Sequence, residues 1–222
     1  NNESANSDPT FYVFNISSDP TNPTLIDSID NSSVAAGLNA LVVAGHYAYV
    51  ANGYGANFAT CSVANNCAQL QIFDLNNLHT PPINYKIPGV SGKSRQSVGN
   101  SIFYKNNYIF LGLTKTGTNS VTGTSNGPEF NIIDVHDPLN PFLVSGNSYP
   151  VGNTINSIYV KNQYAYLATP NNNKELTVLD LNNENNTTEY DAPDNGGNFG
   201  NGKSLYIVGD NLYFVRTADG TY

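Results

Sequence analysis

The chain has 222 residues, 39% of them hydrophobic, enough for the core of one all-β domain. Lys and Arg total 9 against 17 Asp and Glu, and the resulting net charge of −8 excludes the basic footprint of a nucleic-acid binder. The 15 Tyr and 10 Phe exclude a disordered chain, and no apolar run reaches the ~18–20 residues that span a bilayer.

The first patterned segment is Phe11-Tyr-Val-Phe-Asn-Ile16, followed by a Pro-rich turn, Ser18-Asp-Pro-Thr-Asn-Pro23, and a short strand, Thr24 to Ile29. A hairpin comes next, Leu38 to Asn52, with two β-rich runs around Gly45 and His46. A polar stretch then carries Cys61 and Cys67. A local disulfide pinning the tip of this loop is the expectation, and a pair of free thiols is the alternative. Leu70-Gln-Ile-Phe-Asp-Leu75 and the turn from Leu78 to Pro82 repeat the opening pattern. The cycle recurs as the hairpin Gly99 to Gly112, the strand Phe130 to Val135, the turn His136-Asp-Pro-Leu-Asn-Pro141 and the strand Phe142 to Ser145. It recurs again as the hairpin Ile155 to Ala168, the strand Leu176 to Leu181 and a polar last strand, Thr187 to Tyr190. The hairpin Gly202 to Val215 ends the series. Gly and Asn at the hairpin turns tolerate the positive φ that tight turns demand.

The unit is therefore strand, turn, strand, loop, strand, turn, strand. Asn39, Asn100, Asn156 and Lys203 mark its recurrence. Four strands at a period of roughly 50 residues are the signature of a β-propeller with four-stranded antiparallel blades. We expect one domain over 1–222, with units at 11–30, 37–90, 98–149, 154–192 and 202–217. The hairpin, the Leu-Gln-Ile-Phe-Asp-Leu strand and the Asp-Pro-x-Asn-Pro turn together resemble the LVIVD-repeat family of bacterial surface and exported β-propellers, over about residues 11 to 215. That resemblance implies the fold and an exported scaffold; it implies no particular activity. The strand count is sixteen, about four blades. On one reading residues 204–216 pair with 11–29 in a composite blade that closes the ring; on the other the chain is part of a larger ring. The chain opens Asn1-Asn2-Glu3 and contains no Met, which reads as a processed or excised piece, one from which a leader or anchor could have been removed. Sequons at Asn2, Asn15, Asn31, Asn185 and Asn186 matter only in a glycosylating host.

Strand order assigns the loops to two ends. The first-to-second and third-to-fourth turns are short and share one face. The second-to-third loops and the crossovers share the other and are long: 53–68, 88–97, 115–128 and 193–202. A rigid scaffold with variable loops at one end is a common arrangement for binding. On that face Tyr54 and Phe58 are candidate aromatic contacts, and Lys93, Arg95 and Lys115 are candidate contacts for an anionic glycan or an acidic partner. Asn39, Asn100, Asn156 and Lys203 begin equivalent strands and are candidate channel-lining residues, able either to hold water, an ion or a small ligand or simply to satisfy backbone groups at the strand start.

Catalytic constellations are not evident. His46, His79 and His136 fall on short turns, in what reads as separate blades, and are not expected to converge. Asp74, Asp134 and Asp180 repeat once per unit, as corner residues do. Glu129 and Asp194 lie near the long-loop face with no evident partner. The Asp-Pro-x-Asn-Pro turns offer oxygen ligands that would suit calcium, but the Asp-x-Asp-x-Asp-Gly pattern is absent. No other cofactor and no metal site is expected. The expectation is an extracellular or cell-surface binding module, not an enzyme, that meets a glycan, a surface protein or a neighbouring subunit. An extracellular hydrolase or lyase at the channel mouth, or a structural filament subunit, is the alternative.

Overall fold

The structure is a computed structural model. It describes residues 11–29, 38–52, 68–88, 98–115, 128–171, 174–183, 187–191 and 200–218. These residues hold sixteen strands and no helix. In chain order the strands are β1 (Phe11–Asn15), β2 (Thr24–Ile29), β3 (Leu38–Ala44), β4 (Tyr47–Asn52), β5 (Leu70–Asp74), β6 (Ile83–Tyr85), β7 (Gly99–Lys105) and β8 (Tyr108–Leu113). They continue as β9 (Phe130–Asp134), β10 (Phe142–Tyr149), β11 (Ser157–Lys161), β12 (Tyr164–Ala168), β13 (Leu176–Asp180), β14 (Thr187–Tyr190), β15 (Gly200–Val208) and β16 (Asn211–Ala218). They pair antiparallel in three four-stranded sheets, β3 to β6, β7 to β10 and β11 to β14, each ordered as in the chain. Two hairpins, β1–β2 and β15–β16, stand as separate two-stranded sheets.

The hairpin turns explain why the pairs form where they do. Asn106 and Asn107 sit at φ 52° and 63°, and Asn162 at 53°; Gly45 and Gly209 take 60° and 55°. These left-handed conformations match the twist of the flanking strands, and Gly and Asn reach them at least cost. The resulting register is the same in each complete sheet. Tyr47 lies opposite Asp74, Tyr108 opposite Asp134 and Tyr164 opposite Asp180.

Because side chains alternate along a strand, a sheet offers two faces to its neighbours, and the first and second complete sheets bury residues on both. Tyr49, Ala51, Leu70 and Ile72 of the first complete sheet pack on Ile109, Leu111, Leu113 and Ile133 of the second. Phe110, Phe130 and Ile132 of the second pack on Ile158, Val160, Leu167 and Leu179 of the third. Burying each such side chain contributes about 1.5–3 kcal/mol, so these two layers supply most of the cohesion between sheets. A smaller layer joins β1–β2 to the first complete sheet, with Phe11 stacked on Phe73 at 4.9 Å between ring centres. The leading strands β3, β7, β11 and β15 each contact the next. Gly99 has no room for a side chain: a Cβ there would collide with the Gln69 carbonyl of the preceding sheet.

Of the two sequence readings of the chain ends, the composite sheet is not formed here. Residues 204–216 do not join 11–29 in a composite sheet within the chain; β15–β16 and β1–β2 are separate. Each hairpin docks on its own neighbouring sheet, β15 against β11 and β12, and Phe11 and Val13 against Ala48, Val50 and Phe73.

The recurring Asp at the end of each third strand forms the sheet corner. The Oδ1 atoms of Asp74, Asp134 and Asp180 accept the amides of Asn76, His136 and Asn182 at 2.9–3.0 Å. Asn15 does the same for Ser17 at 2.8 Å. Burial pushes the Asp134 carboxyl upward, but the His136 amide, its ring and its charge together hold it below the usual carboxylate value. A lowered folded-state value means that the ionised form stabilises the fold. That contribution is complete above an ordinary Asp pKa of about 3.9 and is lost as pH falls through the lower folded value. Asp134→Asn keeps the corner, as Asn15 does, and removes the titration. Its urea midpoint is therefore expected to fall less steeply than that of the parent chain below about pH 4, as measured by tyrosine fluorescence.

Candidate functional site

The end of the sheets that carries the second-to-third and crossover segments is built on clamped stems. The Asn52 amide donates to the Gln69 carbonyl at 3.0 Å, and its side-chain Nδ2 donates to the Ala68 carbonyl at 2.9 Å, so both ends of segment 53–67 are tied together. Thr114 N donates to the Val98 carbonyl at 3.0 Å, which ties the stem of segment 116–127 to the entry of β7. Lys115 is exposed, and its amide donates to Thr154 Oγ1 at 2.8 Å. Tyr54, Phe58, Cys61, Cys67, Lys93, Arg95 and Asp194 lie outside the described residues.

Below the stems runs a ladder of amides. The pairing of β3 with β4 skips Asn39, that of β7 with β8 skips Asn100, and that of β15 with β16 skips Lys203. Each is the extra residue of a bulge, and a bulge re-aims its side chain out of the sheet. Asn39 Nδ2 donates to the Gly99 carbonyl at 2.7 Å, Asn100 Nδ2 to the Ile155 carbonyl at 2.9 Å, and Asn156 Nδ2 to the Gly202 carbonyl at 2.7 Å. Every acceptor precedes the next member of the series. The amides of Asn100 and Asn156 also touch at 3.4 Å. Of the two sequence readings, backbone satisfaction is the one these bonds support, with the acceptor on the neighbouring sheet instead of the same strand. Lys203 is exposed at the end of the series. At the opposite end of the strands Lys105 and Lys161 bridge in the same direction, Lys105 Nζ to the Asn162 carbonyl at 3.2 Å and Lys161 Nζ to Asp210 at 2.9 Å.

A second series went unrecognised in the sequence. Gln69, Glu129 and Glu175 are buried immediately before the three complete third strands. Gln69 Oε1 accepts the Ile87 amide at 3.0 Å, and Glu129 Oε2 accepts the Val151 and Gly152 amides at 2.9 and 3.0 Å. Glu129, expected to lack a partner, is thus held by two backbone donors. Glu175, fully buried, faces the Arg216 guanidinium at 3.0 Å. The Gln/Glu spacing was the available signal; its single-residue offset from the apolar strand masked it.

The histidines also require a correction. His46 and His79 belong to one sheet, on its two short turns, because both lie between β3 and β6. His79 approaches Asp27 at 3.4 Å, and His136 pairs with Asp134 at 2.9 Å. Burial, then the neighbouring Tyr104 and Tyr47, pushes the Tyr49 hydroxyl up to about 12, so it stays protonated. The carboxylates of the Asp-Pro-x-Asn-Pro turns are engaged locally, Asp19 with Thr21 and Asp137 with Leu139 and Asn140. Among the described residues no three His, Cys, Asp or Glu side chains gather as a metal site would need.

No protein-family profile and no curated protein matches the chain. Among solved structures, the computationally designed Ika4 protein aligns with a TM-score of 0.49 and 9% identity, covering 84% of this chain and 93% of that one. The computationally designed Ika8 protein aligns with a TM-score of 0.41 and 11% identity, covering 85% of this chain and 57% of that one. Similarity at this level carries no argument about function.

Proposed function

We propose that the sheets are blades of a β-propeller of the LVIVD-repeat kind, and that the protein is an extracellular or cell-surface binding module. The observation that supports this reading is the common strand order of the three complete sheets, together with the hydrogen bonds that join Asn52 to Gln69 and Thr114 to Val98. A rigid base lowers the ordering cost of a binding loop. The ligand is a glycan, a surface protein or a neighbouring subunit, met by Tyr54, Phe58, Lys93, Arg95 and Lys115. Binding is favoured over catalysis because Asp74, Asp134, Asp180 and Glu129 all hold backbone amides. The test is a glycan and surface-protein array probed with the labelled chain, beside a variant in which residues 53–67 are replaced by a short Gly-Ser turn. We expect binding by the parent and at least a tenfold loss in the variant, with an unchanged circular dichroism spectrum. No binding by the parent, or equal binding by both, would refute the loop-face reading.

A further inference from the structure

The two terminal hairpins match the two halves of one repeat. β15 and β16 have the sequence and turn of a first and second strand, and β1 and β2 those of a third and fourth. The positions left uncovered at the two ends are those the repeat buries elsewhere. Phe14 is 50% exposed, whereas Phe73, at the same place in a complete sheet, is 1% exposed. Tyr213 is 58% exposed against 3% for Tyr49. Leu41 on β3 is 58% exposed, whereas its counterparts Ile158 and Leu205 are each 5% exposed under the preceding sheet.

The exposed sides face consistently. On β15–β16, Leu205 and Ile207 are buried toward the third complete sheet, while Val208, Tyr213 and Val215 are exposed; Tyr206 is exposed too, although its ring meets Tyr159 of that sheet edge-on. On β1–β2, Phe11 and Val13 face the first complete sheet, while Tyr12 and Phe14 point away. Among the described residues β16 and β1 pair with no further strand, so the outer edge of β16 is a second-strand edge and the outer edge of β1 is the third-strand edge that fits it. Neither carries the Lys or Pro by which exposed strand edges are commonly blunted. A row of aromatic rings on the leading strands, Phe103 tilted against Tyr159 and Tyr159 edge-on to Tyr206, also ends at an exposed Tyr206.

Within one chain these halves stand apart, with Leu41 and Val43 uncovered where a self-closed chain would bury them. We propose that the β16 edge of one copy pairs with the β1 edge of a second copy, completing a four-stranded sheet across two chains. The register is set by the complete sheets, where Tyr49 faces Ile72 and Ala51 faces Leu70. It places Tyr213 opposite Val13 and Val215 opposite Phe11. The composite sheet lies between the third complete sheet of one copy and the first of the next. It lays Tyr213 and Val215 over the second copy's Leu41 and Val43, and the second copy's Tyr12 and Phe14 over Val178 and Tyr190 of the first. Such a contact is heterologous, so it closes into a ring or propagates as a filament. The inference rests on the repeat, not on the loop face, so glycan binding can fail without affecting it.

Two measurements on the 1–222 chain test it. Sedimentation velocity should give a dimer or larger species, and Val215→Glu, at a site exposed in the single chain, should return it to monomer with an unchanged circular dichroism spectrum. In a background with Cys61 and Cys67 replaced by Ser, Val13→Cys and Tyr213→Cys chains are mixed and oxidised. Directly opposite residues on paired strands lie about 4.5–5.5 Å apart, within disulfide reach, so a cross-linked heterodimer is expected. A chain that stays monomeric at all concentrations overturns the proposal. So does an assembly indifferent to Val215→Glu, or a Val13→Cys/Tyr213→Cys double variant that cross-links within one chain.

Discussion

Replacing Arg216 by Ala should cost about 3 kcal/mol of stability, the low end of the range for breaking a buried ion pair. The Glu175 carboxylate has no exposed surface, and its Oε1 lies 3.0 Å from the Arg216 guanidinium, which is itself 24% exposed. Loss of the arginine takes a guanidinium from beside a buried carboxylate; partial solvation of the site moderates the penalty. The repeat indicates the rescue. Gln69 occupies the same position in the first complete sheet as a neutral amide and is satisfied by the Ile87 amide. Glu175→Gln in the Arg216→Ala background is therefore expected to recover most of the loss, while Glu175→Gln alone should cost about 1 kcal/mol. Urea unfolding of the four proteins measures the cycle. If Arg216→Ala alone lowers stability by less than about 1 kcal/mol, within the usual range of surface pairs, the contact is not the anchor of β16 on the third sheet.

Much of the fold was legible because the physics that sets it is local and repeated. Asn106-Asn107 and Gly209 mark turns by conformational tolerance, and the apolar strands declare burial on two faces. Asp74, Asp134 and Asp180 were assigned to corners from recurrence alone, and each accepts the amide two residues on. The bulges were not legible. Asn39 and Asn100 looked like strand starts, but a bulge depends on what the partner strand skips, and that is a pairing property. The destination of their amides, a carbonyl about sixty and fifty-five residues onward on the next sheet, is likewise invisible without the packing. The separation of the terminal hairpins was hidden for a related reason. Sequence reports that β16 and β1 are compatible; whether they meet within one chain depends on how each sheet is inclined to the next.

The same packing predicts where truncation is most damaging. Phe130→Ala is expected to cost about 3–5 kcal/mol, the range for removing a fully buried aromatic ring. Phe130 has no exposed surface and lies between two sheets. Its ring centre is 6.2 Å from Phe110 and 5.7 Å from Tyr149, and the layer continues through Ile155, Ile158 and Leu167 of the third sheet. Truncation opens a cavity between two sheets that are held in place on both sides, so little relaxation can refill it. Phe130→Leu should cost no more than about 1.5 kcal/mol, because Leu70 and Leu176 fill that repeat position in the neighbouring sheets. Leu41→Ala is the internal control. It removes a similar apolar side chain from a first strand, but at a site uncovered in the single chain, and should change stability by no more than about 0.5 kcal/mol. Urea midpoints at a protein concentration where the chain is monomeric rank the three. Equal losses at Phe130 and Leu41 would mean that the hydrophobic layers between sheets do not govern stability.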